Sequence, residues 1–204
     1  MEVIDQVRRK GGCATVVFES GQSMRVPHAL YMLNKLRPGQ AIDPDKYEKW
    51  RAGVEFQLAL ERAVAYIQNV ERASGQVKST LKRNGYHDDV IDKVLLTLQE
   101  NRYVSDTRFA GLWVDARANK LGRNRIRQEL RMKGVDEETT RRALEAFTED
   151  DELEMAVIQA KKLQRRYDDE KKLLNAMIRK GYSFSVAKRA LKMAGEEIDI
   201  DEDD

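Results

Sequence analysis

Apolar positions recur along this chain in one cassette, written three times. Val77-x-x-x-Leu81-x-x-x-Gly85 precedes Val90-x-x-x-Val94-Leu95. Ile126-x-x-x-Leu130-x-x-x-Gly134 precedes Thr139-x-x-x-Ala143-Leu144, and Leu173-x-x-x-Met177-x-x-x-Gly181 precedes Val186-x-x-x-Ala190-Leu191. A spacing of four keeps such residues on one helix face. The closing glycine suits the left-handed position just past a helix end, where any other side chain is penalised. Each cassette therefore predicts two short antiparallel helices joined by a tight turn, with Asp136 and Ser183 as caps of the second helix and His87 in that place in the first copy. The glycines at 85, 134 and 181 are 49 and 47 residues apart, a period that signals stacked supersecondary units.

A longer helical stretch precedes each cassette: Phe56 to Val70, Thr107 to Lys120, and Glu152 to Tyr167. These cover the groove of each helix pair, so each repeat holds three helices. Ser105 or Asp106 caps the long helix of the second repeat, where Phe109 and Trp113, at i and i+4, read as core. The fold predicted is mainly α: three tandem three-helix repeats in an elongated curved array, with a small N-terminal β-hairpin/helix module. The expected segments are 1–53 for that module, 54–102, 103–148 and 149–194 for the repeats, and 195–204 for an acidic tail.

The first fifty residues follow a different period. Ala14 to Ser20 and Ser23 to Val26 alternate and are rich in β-branched residues, with Gly21 between them, which reads as a hairpin. His28 to Leu36 is a short helical pattern, Arg37-Pro38-Gly39 a turn, and Asp43-Pro44 the start of a short helix carrying Tyr47 and Trp50 on one face. A lone hairpin is marginal in water, so this module must pack on the first helix of the array.

Charge changes the picture more than composition does. Charged residues make up 35% of the chain, against about 25% in an average soluble protein, yet the net charge is only +2. The two signs are segregated. Arg117, Lys120, Arg123, Arg125, Arg127, Arg131 and Lys133 fall in a stretch whose only acid is Glu129, whereas the tail Glu196, Glu197, Asp199, Asp201, Glu202, Asp203, Asp204 is wholly acidic. On a helix from about Asn124 to Lys133, Arg123, Arg127 and Arg131 form a row beside the buried Ile126 and Leu130. Guanidinium groups 5–6 Å apart repel unless an anion lies between them, and their planar forks fit carboxylates and phosphates alike. A solvated face, partly neutralised by Glu129 and the acids at 136–138, is the plainer reading of the same residues. A secondary basic edge is expected from Lys161, Lys162, Arg165, Arg166, Arg179, Lys180, Lys188 and Arg189, with Lys171 and Lys172 nearby and acids at 168–170 interrupting it. Tyr86 and Tyr182, which follow the repeat glycines, read as packing onto their own helices in preference to stacking on bases.

Enzyme chemistry finds no footing. The two histidines, His28 and His87, stand in unrelated contexts, and no phosphate-binding Gly-x-x-x-x-Gly-Lys or dinucleotide fingerprint occurs. His87-Asp88-Asp89 is a helix start, with acids favoured by the helix dipole, and no metal or other cofactor is called for. Cys13, the only cysteine, can form neither an internal disulfide nor a cysteine zinc site. No apolar run reaches the length of a membrane span, and the charged N-terminus lacks a signal-peptide core. A cytoplasmic, reduced protein is expected.

The ordered cassettes, the Ser105-Asp106-x-x-Phe109-Ala110 linker, and Gly122-x-x-x-Ile126-x-x-x-Leu130-x-x-x-Gly134-Val135 together resemble the RecX family of bacterial regulators of the RecA recombinase. The resemblance runs from about Val54 to Ala194 and is most specific from Tyr103 to Leu144; the N-terminal module and the acidic tail lie outside it. In it Gly85, Gly134, Gly181, Asp106 and Phe109 are structural positions. It implies a non-enzymatic regulator that lies in the groove of the RecA–single-stranded-DNA filament and bridges its subunits. Filament growth, ATP hydrolysis, strand exchange and SOS co-protease activity fall as consequences, in the setting of DNA repair and recombination. The Arg123, Arg127, Arg131 row meets acidic protein surface, phosphate, or both. The expected partners are the RecA filament and single- and double-stranded DNA, with no membrane, and the chain is expected to be a monomer. Two other readings stay open: a sequence-tolerant DNA-binding helical module without a recombinase target, and a scaffold of two-helix repeats akin to HEAT arrays.

Overall fold

The structure, a computed structural model, describes residues 1–167 and 169–201, with side chains described as far as residue 195. It divides into two compact units, Met1–Ser105 and Asp106–Asp204. The expected acidic tail falls on residues whose side chains lie outside the described residues.

The first unit begins with a sheet. Strands β1 (Glu2–Lys10), β2 (Cys13–Phe18), β3 (Ser23–Pro27) and β4 (Ala41–Ile42) pair antiparallel in the order β3-β2-β1-β4. The expected hairpin is thus the outer half of a four-stranded sheet, and β1 is the strand the sequence pattern did not reveal. Its reason is visible in burial: only Ile4 is buried in β1, and Val7, half-buried, is the one apolar residue from Gln6 to Lys10, so too little of a period-2 signal survives. Helix α1 (His28–Asn34) packs on β2 and β3, and Ile4, Val16, Val26, Leu30 and Leu36 form the module's core.

Helix α2 runs unbroken from Pro44 to Ile67, capped by the Asp43 carboxylate, which accepts from the backbone N–H groups of Asp45 and Lys46. The short helix at Pro44 and the long first helix of repeat one are therefore one element, and the boundary expected at 53/54 falls inside it. Gly53 does not break it; a helix interior tolerates glycine at about 1 kcal/mol. What holds the helix together is tertiary: Tyr47 sits in the sheet core, Ala59 and Ala63 in the core of the first repeat, and Leu58 packs on both. With α3 (Ser74–Arg83) and α4 (Asp88–Glu100) it completes that repeat. Buried Glu55 of α2 accepts from the backbone N–H of His87 at 2.9 Å, which ties α2 to the start of α4, where the N-cap side chain makes no capping hydrogen bond.

The second unit repeats the pattern twice. Helices α5 (Asp106–Ala118), α6 (Arg123–Met132) and α7 (Glu137–Glu145) form one repeat; α8 (Glu149–Gln164), α9 (Glu170–Arg179) and α10 (Phe184–Asp201) form the next. The long helices α5 and α8 end at Ala118 and Gln164, just short of the expected Lys120 and Tyr167, and α8 starts earlier, at a Thr148–Asp151 capping box. The fold is thus mainly α, with three three-helix repeats behind a small strand module.

The three turns share one hydrogen-bond pattern. Gly85, Gly134 and Gly181 have φ of 86°, 81° and 93°. The following residue's N–H reaches back to the helix carbonyl five before it: Tyr86 to Leu81, Val135 to Leu130, Tyr182 to Met177, at 3.1–3.3 Å. That is the Schellman closure, with its apolar contact: Tyr86, Val135 and Tyr182 are all buried. Both tyrosines are committed to packing, and Tyr86 also donates to the Leu58 carbonyl. In the third helices the deepest first position lies one residue past the expected one, at Ile91, Thr140 and Ala187, while Val94, Leu144 and Ala190 are buried where the cassette puts them. The predicted caps are in place at Asp136, which accepts from Thr139, and at Ser183, which accepts from Val186.

Candidate functional site

Repeats two and three interlock through backbone. The Gly122 N–H donates to the Lys180 carbonyl at 3.0 Å and the Asn124 N–H to the Gly181 carbonyl at 3.2 Å. The Arg123 N–H donates to the buried carboxylate of Glu152 at 2.8 Å, and the Gln159 side-chain amide to the Asn119 carbonyl at 2.9 Å. The start of α6 is thereby fixed against the end of α9, which sets where the basic residues of both repeats stand.

Ile126 and Leu130 of α6 are fully buried, as the period requires. The arginine row beside them is not uniform. Arg123 is half-buried and its guanidinium donates to the Leu144 carbonyl at 3.3 Å, in the last turn of α7. It caps a helix of its own repeat, so the part of the row that reaches solvent is Arg127 and Arg131. Arg127 reaches Asn124 Oδ1 at 3.2 Å and pairs with Glu137 at 3.5 Å, its side chain still about two-fifths exposed (41%). Arg131 is exposed.

The other flank of α6 is organised by Glu129. Its carboxylate accepts from Trp113 Nε1 at 3.0 Å, pairs with Arg117 at 3.3 Å without hydrogen-bond alignment, and lies 3.7 Å from Arg125. Arg117 also lies over the Trp113 ring at 4.5 Å and Lys133 at 4.0 Å, cation–π contacts that hold both near the indole. Trp113 stacks on buried Phe109 with centroids 5.7 Å apart. The sequence read Trp113 as core; it is half-buried, and its polar edge anchors the basic cluster. The signal was Trp113 and Arg117 at i, i+4, overshadowed by the apolar pair Phe109 and Trp113.

The secondary basic edge separates into two places. Lys162, Arg165, Arg166 and Lys180, joined by Lys120, line a pocket of about 510 Å³ between repeats two and three. Among the described residues no carboxylate lines it. Lys180 is half-buried there and donates to the Lys120 carbonyl at 3.4 Å. Burial, and then Lys162, Arg166 and Lys120, push its ammonium pKa below the ordinary value. Lys188 and Arg189 instead line a more apolar cavity of about 810 Å³ beside Tyr167, Leu173 and Phe184, and neither cavity is lined by Lys161 or Arg179. Linear periodicity could not foresee the first pocket, because it joins residues 60 positions apart in sequence. Among the described residues no group of three or more His, Cys, Asp or Glu side chains could hold a metal ion, and no helix is long and apolar enough to cross a membrane.

Residues 105–144, the second repeat almost in full, match the family model described as RecX, second three-helix domain. The chain is 29% identical over 180 residues to "Regulatory protein RecX" of Bacillus licheniformis, covering 83% of this chain and 66% of that protein. It is 28% identical over 178 residues to the protein of the same description from Bacillus subtilis, covering 82% and 66%. The chain therefore spans about two thirds of the length of these curated relatives. A solved structure described as the crystal structure of regulatory protein RecX shares the fold, with a TM-score of 0.63 at 23% identity, covering 92% of this chain and 98% of that one.

Proposed function

Because the chain belongs to the RecX family, we propose that it regulates the RecA recombinase by binding the RecA–single-stranded-DNA filament. In this reading three linked repeats contact successive sites of the polymer, and linkage raises the effective concentration of each after the first has bound. Filament growth, ATP hydrolysis, strand exchange and co-protease activity then fall because the filament is occupied, with no catalysis by the chain itself. It acts as a monomer in the cytoplasm.

The observation that carries the reading is the surplus of cations held in fixed positions in the second unit. The pocket at Lys120 and Lys180 holds five of them with no lining acid among the described residues, and α6 adds the exposed Arg131 and the partly exposed Arg127. Like charges gathered at this density cost stability unless a polyanion joins them. The lack of carboxylates in that pocket also favours a second reading, binding to DNA alone without a recombinase target.

Binding of the labelled chain to preformed RecA filaments and to naked single-stranded DNA, each at low and high salt, separates the two. Phosphate binding alone weakens steeply with salt. The filament reading expects a salt-resistant part of the affinity that requires RecA; equal affinities for filament and naked strand at both salts contradict it.

A further inference from the structure

We infer that the pocket at the junction of repeats two and three is a seat for consecutive backbone phosphates of a nucleic acid strand. The inference takes from the filament reading only that this surface meets a polyanion.

The pocket is built where three helices end. Helix α5 stops at Ala118, α8 at Gln164 and α9 at Arg179, and the lining cations Lys120, Arg165, Arg166 and Lys180 lie within two residues of those ends. Helix C-termini attract cations, so part of this clustering has a structural cause. Its size can be judged: each helix end carries roughly half a negative charge, so three ends offset about one and a half charges. Five cations line the pocket, and most of their charge is left over. Lys180 shows the consequence, its ammonium destabilised by burial and by its cationic neighbours. An anion in the pocket offsets that penalty by pairing with the ammonium.

Phosphate suits the site better than protein carboxylates. The cavity, at about 510 Å³, has room for more than one anionic group, and a nucleic acid strand delivers a charge about every 3.4 Å along its axis. Two adjacent guanidinium forks, Arg165 and Arg166, can each take a pair of phosphate oxygens. Among the described residues Leu163 is the only apolar side chain in the lining and no aromatic ring is present. Bases therefore have nothing to stack on inside; the backbone enters and the bases face away, which makes recognition independent of sequence.

The test uses the full chain with Lys162→Ala and Arg166→Ala together, two exposed side chains whose removal leaves the apolar core intact; an unchanged thermal melt checks folding. Affinity for a short oligothymidylate is measured across a salt series, beside tripolyphosphate and poly-aspartate as probes of free phosphate and of protein carboxylate. The expected result is a loss of about tenfold or more for the oligonucleotide at low salt. The slope of log affinity against log salt should flatten by about 1.4, since each phosphate contact on a single strand contributes about 0.7. An unchanged oligonucleotide affinity and slope overturns the inference, as does a loss confined to poly-aspartate or to tripolyphosphate. RecA filament ATPase, assayed in parallel with the unmodified chain, reports on the regulatory reading separately: failure to slow it defeats that reading, while the oligonucleotide titration still decides the pocket.

Discussion

Gly122 lies directly against the backbone of Gly181. A Cβ at residue 122 would stand 2.5 Å from the Gly181 carbonyl carbon and oxygen and from the Tyr182 nitrogen. The contact is backbone to backbone, so no side chain can move aside to relieve it. It is what lets the Gly122 and Asn124 N–H groups reach the carbonyls of Lys180 and Gly181, and it locks the start of α6 to the turn after α9. The first unit has a related contact, in which Gly85 faces the Cys13 Cβ and Gly12 faces Asn84 at the junction of sheet and repeat.

Gly122→Ala should therefore destabilise the second unit by about 1–3 kcal/mol, the usual cost of overpacking. Gly53→Ala should do the opposite. Gly53 is inside α2 with nothing within 4 Å of an added Cβ, so alanine should stabilise by about 0.5–1 kcal/mol through helix propensity alone. Thermal and denaturant melts of the two variants check both signs. Equal stability of Gly122→Ala and the parent would mean that the two backbones are not in contact.

Gly134→Val tests the turn in the same way. Its φ of 81° is a region where a β-branched residue is strained, and the expected loss is more than about 1 kcal/mol. A melt identical to that of the parent contradicts the left-handed turn.

How far the sequence reached can be judged from these positions. The cassette named the left-handed glycines of the three repeat turns, because helix, turn and cap each leave a local chemical mark. It missed β1, whose only buried residue is Ile4, since pairing in the middle of a sheet is a property of backbone hydrogen bonds that polar residues conceal. It cut α2 in two because the change of hydrophobic period suggested a joint that packing on two cores overrides. At the basic face it took spacing as exposure. Arg123 turned out to serve the α7 carbonyls, and Trp113 and Glu129 to hold Arg117. Those are tertiary partners that spacing alone does not specify.

Glu129 restrains part of the cationic surface. In Glu129→Gln the amide oxygen can still accept from Trp113 Nε1, but the charge facing Arg117 and Arg125 is gone. The variant should bind single-stranded DNA more tightly at low salt, with a slope steeper by up to about 1.4 if both freed arginines meet phosphate. Fluorescence anisotropy across a salt series reads this directly. An unaltered slope would place Arg117 and Arg125 outside the contact.

Two glutamates should give the stability–pH profile opposite slopes. Burial raises the Glu152 pKa above its ordinary 4.5, against the opposing pull of the Arg123 N–H and charge. A raised value in the folded state favours the protonated form, so this contribution is fully present below pH 4.5 and is lost as pH rises through the shifted value. Glu138 behaves in the reverse sense: hydrogen bonds from Arg141 and Arg142 hold it down at about 2. Its contribution is present above pH 4.5 and disappears as pH falls toward 2. Glu152→Gln keeps an acceptor for the Arg123 N–H and should remove the first slope; Glu138→Gln should remove the second. Melts from pH 2 to pH 7 check both, and a profile unmoved by either change would deny these carboxylates their shifted titrations.

The most direct measurement is the ATPase rate of preformed RecA–single-stranded-DNA filaments titrated with the chain and with its Arg127→Glu, Arg131→Glu variant. Both side chains stand outside the core, so the variant should retain its helicity. The account predicts that the parent chain slows hydrolysis and that the double charge reversal weakens this markedly. A filament ATPase indifferent to the parent chain would contradict it.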